Sequence, residues 1–242
     1  MVITSKDNEK IKYLKKLKNN KFMNEEKKFI IEGDHLTKEA FKAGILLETY
    51  SMFDTDFKVP NTLVSKSVIK SLSALNTPSN IIGVCKFIDS KLDMNNNILI
   101  LDGIQDPGNL GTIIRSSSAF NFNTIVVSKD TVSKYNDKVI RATQGMMFKT
   151  NIIEEDLKTF IPYLKEHNYT VYGTNVNNGI DVRYINKNAK IAVIMGNEGK
   201  GVSNEVLEEV KDNIYIDLKK DVESLNVAVA ASIIMYEINK GE

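Results

Sequence analysis

Through residues 97 to 242, short apolar runs alternate with stretches whose apolar positions recur every three or four residues. The runs at Ile98 to Leu101, Thr124 to Val127, Thr170 to Gly173, Ile191 to Met195 and Ile214 to Leu218 are short and largely apolar, as strands buried on both faces are. Helical spacing predicts helices over Leu110 to Phe120, Tyr135 to Met146, Asp156 to Glu166, Asn204 to Val210 and Asn226 to Asn239. Strand and helix in repeated alternation predict a parallel sheet with helices on both faces. Ahead of it, KKFIIEGDHLTKEAFKAG predicts a strand at Phe29 to Glu32, a turn at Gly33 and a helix carrying Leu36, Ala40 and Phe41 on one side. TLVSKSVIKSL and SNIIGVCKFI add a strand, a helix and a final strand, so residues 1 to 90 read as a small α/β domain. Between the two lies DSKLDMNNN, Asp89 to Asn97, rich in Asn and Asp and with neither periodicity, which marks a linker.

Composition narrows the classes. The chain has 242 residues, 42% hydrophobic and 26% charged, ordinary for globular domains. One cysteine, Cys85, permits no internal disulfide, and His35 and His167 beside it make no zinc ligand set, so chemistry without a metal is expected. No stretch approaches the roughly 20 apolar residues of a membrane span, and the N-terminus MVITSKDNEKIKYLKK has no apolar signal core, so a cytoplasmic protein away from membranes is expected. A net charge of +1 argues against gripping nucleic acid with the whole surface, yet the charge is uneven: 16 Lys and Arg face 12 Asp and Glu in residues 1 to 96, against 16 and 19 in the rest. Most of the excess lies in residues 1 to 28, where nine lysines meet four acids. With Ile11, Leu14 and Leu17 as an apolar stripe, that run is the solvated side of an amphipathic helix, a phosphate-contacting surface, or both.

Ligands of parallel sheets sit at the carboxyl ends of the strands. Four polar segments fall there: DGIQDPGN, TNVNNG, GNEGKG and KKDVESLN. The third, inside IMGNEGKGVS (Ile194 to Ser203), invites comparison with phosphate loops. It matches neither the P-loop nor the dinucleotide fingerprint, because Gly196, Gly199 and Gly201 are spaced three and two apart, the loop follows a late strand, and Lys200 is followed by glycine. Alone, it reads as a tight turn with Ser203 as a helix N-cap.

Taken together, LDGIQDPGNLGTIIRSSSAFNF, IAVIMGNEGKGVSNEV and IYIDLKKDVESLNVAVAASIIMYE resemble, in order and spacing, the three signature motifs of the SpoU/TrmH family of RNA 2′-O-ribose methyltransferases, of the SPOUT class. The resemblance spans about Asn97 to Glu242, and FIIEGDHLTKEAFKAG extends it to the family's L30e-like substrate-binding domain at residues 1 to 90. It implies methyl transfer from S-adenosylmethionine to a ribose 2′-hydroxyl of ribosomal or transfer RNA. It also implies a catalytic domain at residues 97 to 242 containing a trefoil knot, and a homodimer.

A sulfonium carries its own leaving group, so the demand falls on the hydroxyl, whose developing alkoxide needs stabilisation. Arg115 matches the motif-one arginine. A guanidinium keeps its protons, so oxyanion stabilisation and anchoring of the adjacent phosphate fit it better than a literal base role, while its plain alternative is a surface helix residue. Asn109, otherwise an N-cap, matches the motif asparagine, and Glu198 is expected to orient polar groups rather than bind metal. Ser224 and Asn226 are the hydrogen-bonding residues expected at the start of the last helix, and Asn226 is also expected to contact the cofactor, as is Asn197. Gly196 and Gly201 are expected to let the backbone pass close to the cofactor. By the same resemblance, Ile216, Leu218 and Leu225 line the adenine pocket and Thr174 closes it. One departure is Gln144 in RATQGMMFKT, where the family has a small residue before the glycine, on the RNA-facing helix. The last helix, VAVAASIIMYEI, is apolar nearly all round and must be buried in its own core or against a partner subunit. Two other readings remain: an RNA-binding protein of this fold without chemistry, which loss of Arg115, Asn109 or Glu198 would have marked, and a nucleotide-dependent oxidoreductase, which needs a glycine fingerprint where DGIQDPGN stands.

Overall fold

A computed structural model describes residues 2–176 and 178–240. Met1, Asn177 of the TNVNNG loop, and Gly241 and Glu242 at the end of the predicted catalytic domain lie outside the described residues. The chain divides into two compact units, Met1–Asp89 and Ser90–Glu242.

The first unit opens with α1 (Glu9–Lys16) and α2 (Asn20–Glu26), whose N-termini are capped by the side chains of Asn8 and Asn19. Ile11, Leu14 and Leu17 are buried, so the lysines between them ride the solvent face. β1 (Lys28–Glu32), α3 (Asp34–Lys42), β2 (Leu46–Ser51), β3 (Asn61–Leu63), α4 (Lys66–Leu72) and β4 (Ile81–Lys86) follow. The sheet order is β1-β4-β2-β3, with β4 antiparallel to β1 and β2, and β3 parallel to β2. The predicted apolar side of α3 needs correction. Leu36 and Ala40 are buried, but Phe41 is 38% exposed, with its ring against Phe57 at 5.3 Å between centroids. Five residues along a helix turn a side chain by about 140° from its starting face.

The second unit contains β5 (Ile98–Leu101), α5 (Pro107–Ala119), β6 (Thr124–Val127), α6 (Asp137–Ala142), β7 (Asn151–Glu154), α7 (Leu157–Glu166), β8 (Tyr169–Thr174), β9 (Ile180–Asp181), β10 (Lys190–Met195), α8 (Asn204–Leu207), β11 (Asp212–Tyr215) and α9 (Val227–Asn239). The sheet runs β7-β6-β5-β10-β8-β11-β9 with parallel pairing throughout. On one face Ile98, Ile100, Val126, Val171, Ala192 and Ile194 pack with Leu157, Phe160, Ile161 and Leu164 of α7 and with Val202, Val206 and Val210. Leu99, Leu101, Ile125 and Val193, equally buried, point to the opposite face by the two-residue period of a strand. Helix α5 packs against α6 and α9.

Three expectations shift. The segment read as a linker packs Leu92 and Met94 against the core of the second unit. The helix predicted to Met146 ends at Ala142, because Gln144 and Gly145 both take positive φ (51° and 86°) and a single 3₁₀ turn, Met146–Phe148, follows. Gln144 therefore sits in a turn, its side-chain amide donating to the carbonyl of Arg141 at 2.9 Å. The last strand runs Asp212–Tyr215, and Ile216 to Leu218 leave the sheet.

Candidate active site

Because neighbouring strands are parallel, the loops after β5, β8, β10 and β11 emerge at one edge of the sheet, and they enclose a cavity of about 800 Å³. Asn109, Thr174, Gly196, Asn197, Glu198, Gly201, Ile216, Leu218, Ser224, Leu225 and Asn226 all line it. Arg115 does not. It lies six residues beyond Asn109 on α5, exposed, and makes no hydrogen bond or ion pair with any described residue.

The loop after β5 is shaped by its own sequence. Asp106 caps α5 by accepting from the backbone N–H of Asn109 at 2.8 Å, and Pro107 occupies the first turn, where no N–H is needed. The cap is therefore Asp106, and the side chain of Asn109 is left to point elsewhere. Its Nδ2 donates to Glu198 Oε1 at 3.0 Å and its Oδ1 accepts from Asn226 Nδ2 at 2.9 Å. Glu198 also accepts from the backbone N–H groups of Asp106 at 3.0 Å and Gln105 at 3.2 Å. Partial burial pushes the Glu198 carboxyl up, but hydrogen bonds from the Asn109 side chain and from the backbone of Asp106, Glu198 and Gln105 outweigh it and hold the group below its ordinary value. Asn226 caps α9, its Oδ1 accepting from Ala228 at 3.0 Å and Val229 at 3.3 Å. One chain of bonds thus joins the loops after β5 and β10 to the start of α9.

The GNEGKG loop closes on itself. Asn197 and Gly201 exchange backbone hydrogen bonds at 2.9 Å each way. The Asn197 side chain accepts from Gly199 and Lys200 and donates to the carbonyl of Gly103 at 2.7 Å, so it staples this loop to the one after β5. The crowding at Gly196 is the loop's own: a Cβ there would lie 2.1 Å from the Gly201 carbonyl carbon and the Val202 nitrogen. Gly201 needs glycine for its φ of +70°, with nothing within 4 Å of a Cβ. At Gly196 the turn's own backbone takes up the space a side chain would need, whereas at Gly201 that space is open. Ser203 precedes α8 without a side-chain cap, and its N–H donates to Asp102 at 2.8 Å. Thr174 donates to the carbonyl of Ile194 at 2.8 Å.

Met195, Ile214, Ile216, Leu218 and Ile234 supply an apolar wall. Arg183 pairs with Asp181 at 2.5 Å and reaches Asp217, between Ile216 and Leu218 in the chain, at 3.3 Å. The sequence reading missed Met195, Ile214, Tyr215, Val227, Ala230 and Ile234 as lining residues. Ala230 and Ile234 stand four and eight residues after Asn226, a helical spacing that could have found them. No group of three or more His, Cys, Asp or Glu able to hold a metal occurs among the described residues, nor is any described helix long and apolar enough to cross a membrane.

Comparison with known proteins adds the following. Residues 96–236 match the SpoU rRNA Methylase family, and residues 8–83 match the MRM3-like substrate binding domain. The chain is 36% identical, over 98% of both lengths, to the 23S rRNA (guanosine(2553)-2′-O)-methyltransferase RlmP of Bacillus subtilis (strain 168). A crystal structure of an RNA 2′-O ribose methyltransferase is similar with a TM-score of 0.85 at 27% identity, covering 99% of this chain and 98% of that one. The AdoMet-bound rRNA methyltransferase from Sinorhizobium meliloti shares the fold with a TM-score of 0.89 at 24% identity, covering 100% of this chain and 98% of that one.

Proposed function

This chain belongs to the SpoU rRNA Methylase family, and from that premise we propose that it methylates a guanosine ribose of 23S ribosomal RNA. Its reaction is the transfer of a methyl group from S-adenosylmethionine to a ribose 2′-hydroxyl of RNA, carried out by a SPOUT-type α/β domain behind an N-terminal substrate-binding domain. The choice of guanosine in 23S RNA is supported by the name and the full-length similarity of the Bacillus relative.

The observation that carries the site assignment is the cavity, where loops far apart in the chain meet around an apolar wall and a polar network. The volume and the mixed lining suit a nucleoside with a charged tail. S-adenosylmethionine, when bound, supplies a methyl group already activated by its sulfonium. In this reading Ile216, Leu218 and Leu225 flank the adenine, Thr174 closes the cavity, and Gly196, Asn197 and Gly201 shape the turn beside the cofactor. Asn197 acts through the loop, since its side chain is spent on backbone partners. Glu198 fixes Asn109, and Asn109 with Asn226 presents oriented amides to the ribose and the cofactor, with Ser224 beside them. Arg115 offers a guanidinium with donors only, so it stabilises the developing 2′-alkoxide and the neighbouring phosphate by charge and hydrogen bonding. Its exposed position suits a group that engages only once RNA is seated.

The first unit, residues 1 to 90 in this reading, is the L30e-like domain that docks RNA, and residues 97 to 242 hold the cofactor. The match to the MRM3-like substrate binding domain and the exposed lysines of α1 and α2 support that division. A homodimer belongs to the same reading. Val229, Ile233 and Tyr236 of α9 are 48%, 37% and 49% exposed at helical spacing, an apolar stripe that a second copy would cover. So does a trefoil knot, supported by the fold similarity over nearly the whole chain. An RNA substrate is the support for a cytoplasmic location. Calorimetry with S-adenosylmethionine in the presence of a chelator is expected to give saturable binding, and ribose-methylation mapping of a 23S transcript a single guanosine. Undetectable cofactor binding by folded protein overturns the site, and a methylated pyrimidine overturns the guanosine assignment.

A further inference from the structure

Three charged side chains line the cavity: Asp106, Glu198 and Lys200. The two carboxylates are committed, Asp106 to the helix cap and Glu198 to three donors. Lys200 differs. Its backbone is fixed, because its N–H donates to Asn197 Oδ1 at 3.1 Å inside the closed turn between Asn197 and Gly201. Its ammonium makes no hydrogen bond or ion pair with any described residue, and the residue is exposed. It is the only cationic side chain among the described lining residues. Met195 at the end of β10 and Gly196 at the start of the loop are buried while Lys200 is exposed, so Lys200 stands at the mouth of the cavity.

A rigid backbone carrying an uncommitted ammonium at the mouth is a built point charge for an anion arriving from solvent. The cofactor brings its own sulfonium and ammonium beside one carboxylate, whereas RNA presents a phosphodiester on each side of the reacting ribose. We propose that Lys200 holds a backbone phosphate adjacent to the target ribose, seating the 2′-hydroxyl over the cavity. The proposal rests on the methyltransferase reading and gives the cavity a cation of its own, distinct from Arg115.

The test measures binding of an unmodified 23S transcript across a salt series, and of S-adenosylmethionine by calorimetry, for the wild type, Lys200→Met and Lys200→Arg. Losing one phosphate contact lowers the magnitude of the slope of log K against log salt by about 0.7 to 0.9. Lys200→Met is therefore expected to show that loss and RNA binding weaker by about fivefold, with cofactor affinity within twofold of wild type, which also reports that the variant is folded. Lys200→Arg restores the slope. Weakened cofactor binding with an unchanged slope would assign Lys200 to the cofactor carboxylate and overturn the proposal, as would no change in either measurement. A wild type that fails to bind S-adenosylmethionine sinks the reading beneath the proposal, and the proposal with it.

Discussion

Polar residues assigned to the proposed site include two contrasting sets. Glu198, Asn109, Asn226 and Asn197 spend their side chains on one another and on backbone groups. Arg115 and Lys200 spend theirs on no described residue, and both are exposed. The first set is a frame: its bonds exist before any ligand arrives, so no reorganisation is needed when one does. The second set is held in reserve, because a cation already paired with a carboxylate would have to break that pair to meet a phosphate. In the proposed reading, hydrogen-bond completeness rather than residue type separates side chains whose orientation is fixed in advance from cations left free to meet what enters the site.

The contrast is broken most severely at Arg115. Arg115→Ala is expected to lower the single-turnover methylation rate by about 100- to 1000-fold, the usual cost of losing a donor aimed at developing charge, with cofactor affinity nearly unchanged. Arg115→Lys keeps the charge but loses the planar fork, and a small residual rate is expected. A normal rate for Arg115→Ala would move the residue from the reserve to the bland surface. Gly196→Ala strikes the frame instead. Its methyl group meets the backbone of Gly201 and Val202, so a loss of about 1–3 kcal/mol of stability is expected, readable by denaturant titration, together with weakened cofactor binding. Wild-type stability in that variant would mean the turn is softer than its bonds suggest.

The smallest effect sharpens the frame itself. Glu198→Gln puts an amide donor against backbone N–H groups, and about 1 kcal/mol of stability is expected to go with it. The Glu198 pKa is held below its unfolded value, so the carboxylate's contribution is fully present above about pH 4.3, where an unfolded glutamate is already ionised, and is lost as pH falls through the lower folded value. The difference in Tm between wild type and variant is expected to stay constant from neutral pH to about pH 5 and to close below pH 4.3. A gap that widens on acidification would refute the charged network.

What could be read from the sequence followed the reach of local patterns. β5 and β6 are four-residue apolar or β-branched runs and were legible to the residue. β2, with LLETYS, mixes polar and apolar positions, and β9 has two residues, too few for any period. β11 was displaced because Ile216 and Leu218 continue its apolar alternation after the chain has left the sheet to line the cavity. The loops of the site were visible as polar segments following strands, and the motif resemblance named half of the cavity wall. It could not foresee how those residues use their atoms. The partners of Glu198 lie 89 to 93 positions away, and the crowding around Gly196 comes from backbone across the same turn.

The bond between Asn226 and Asn109 spans 117 positions of the chain. It is a contact of very high order, and closing so long a loop costs conformational entropy before the bond repays any of it. A chain synthesised only as far as α8 already has β5, β8 and β10, and the GNEGKG turn, but not the residue that completes the bridge. The last stretch to be made therefore both completes the sheet, by adding β11 between β8 and β9, and closes the cavity. Cofactor capture should lag behind collapse of the second unit during refolding, as a separate, slower phase.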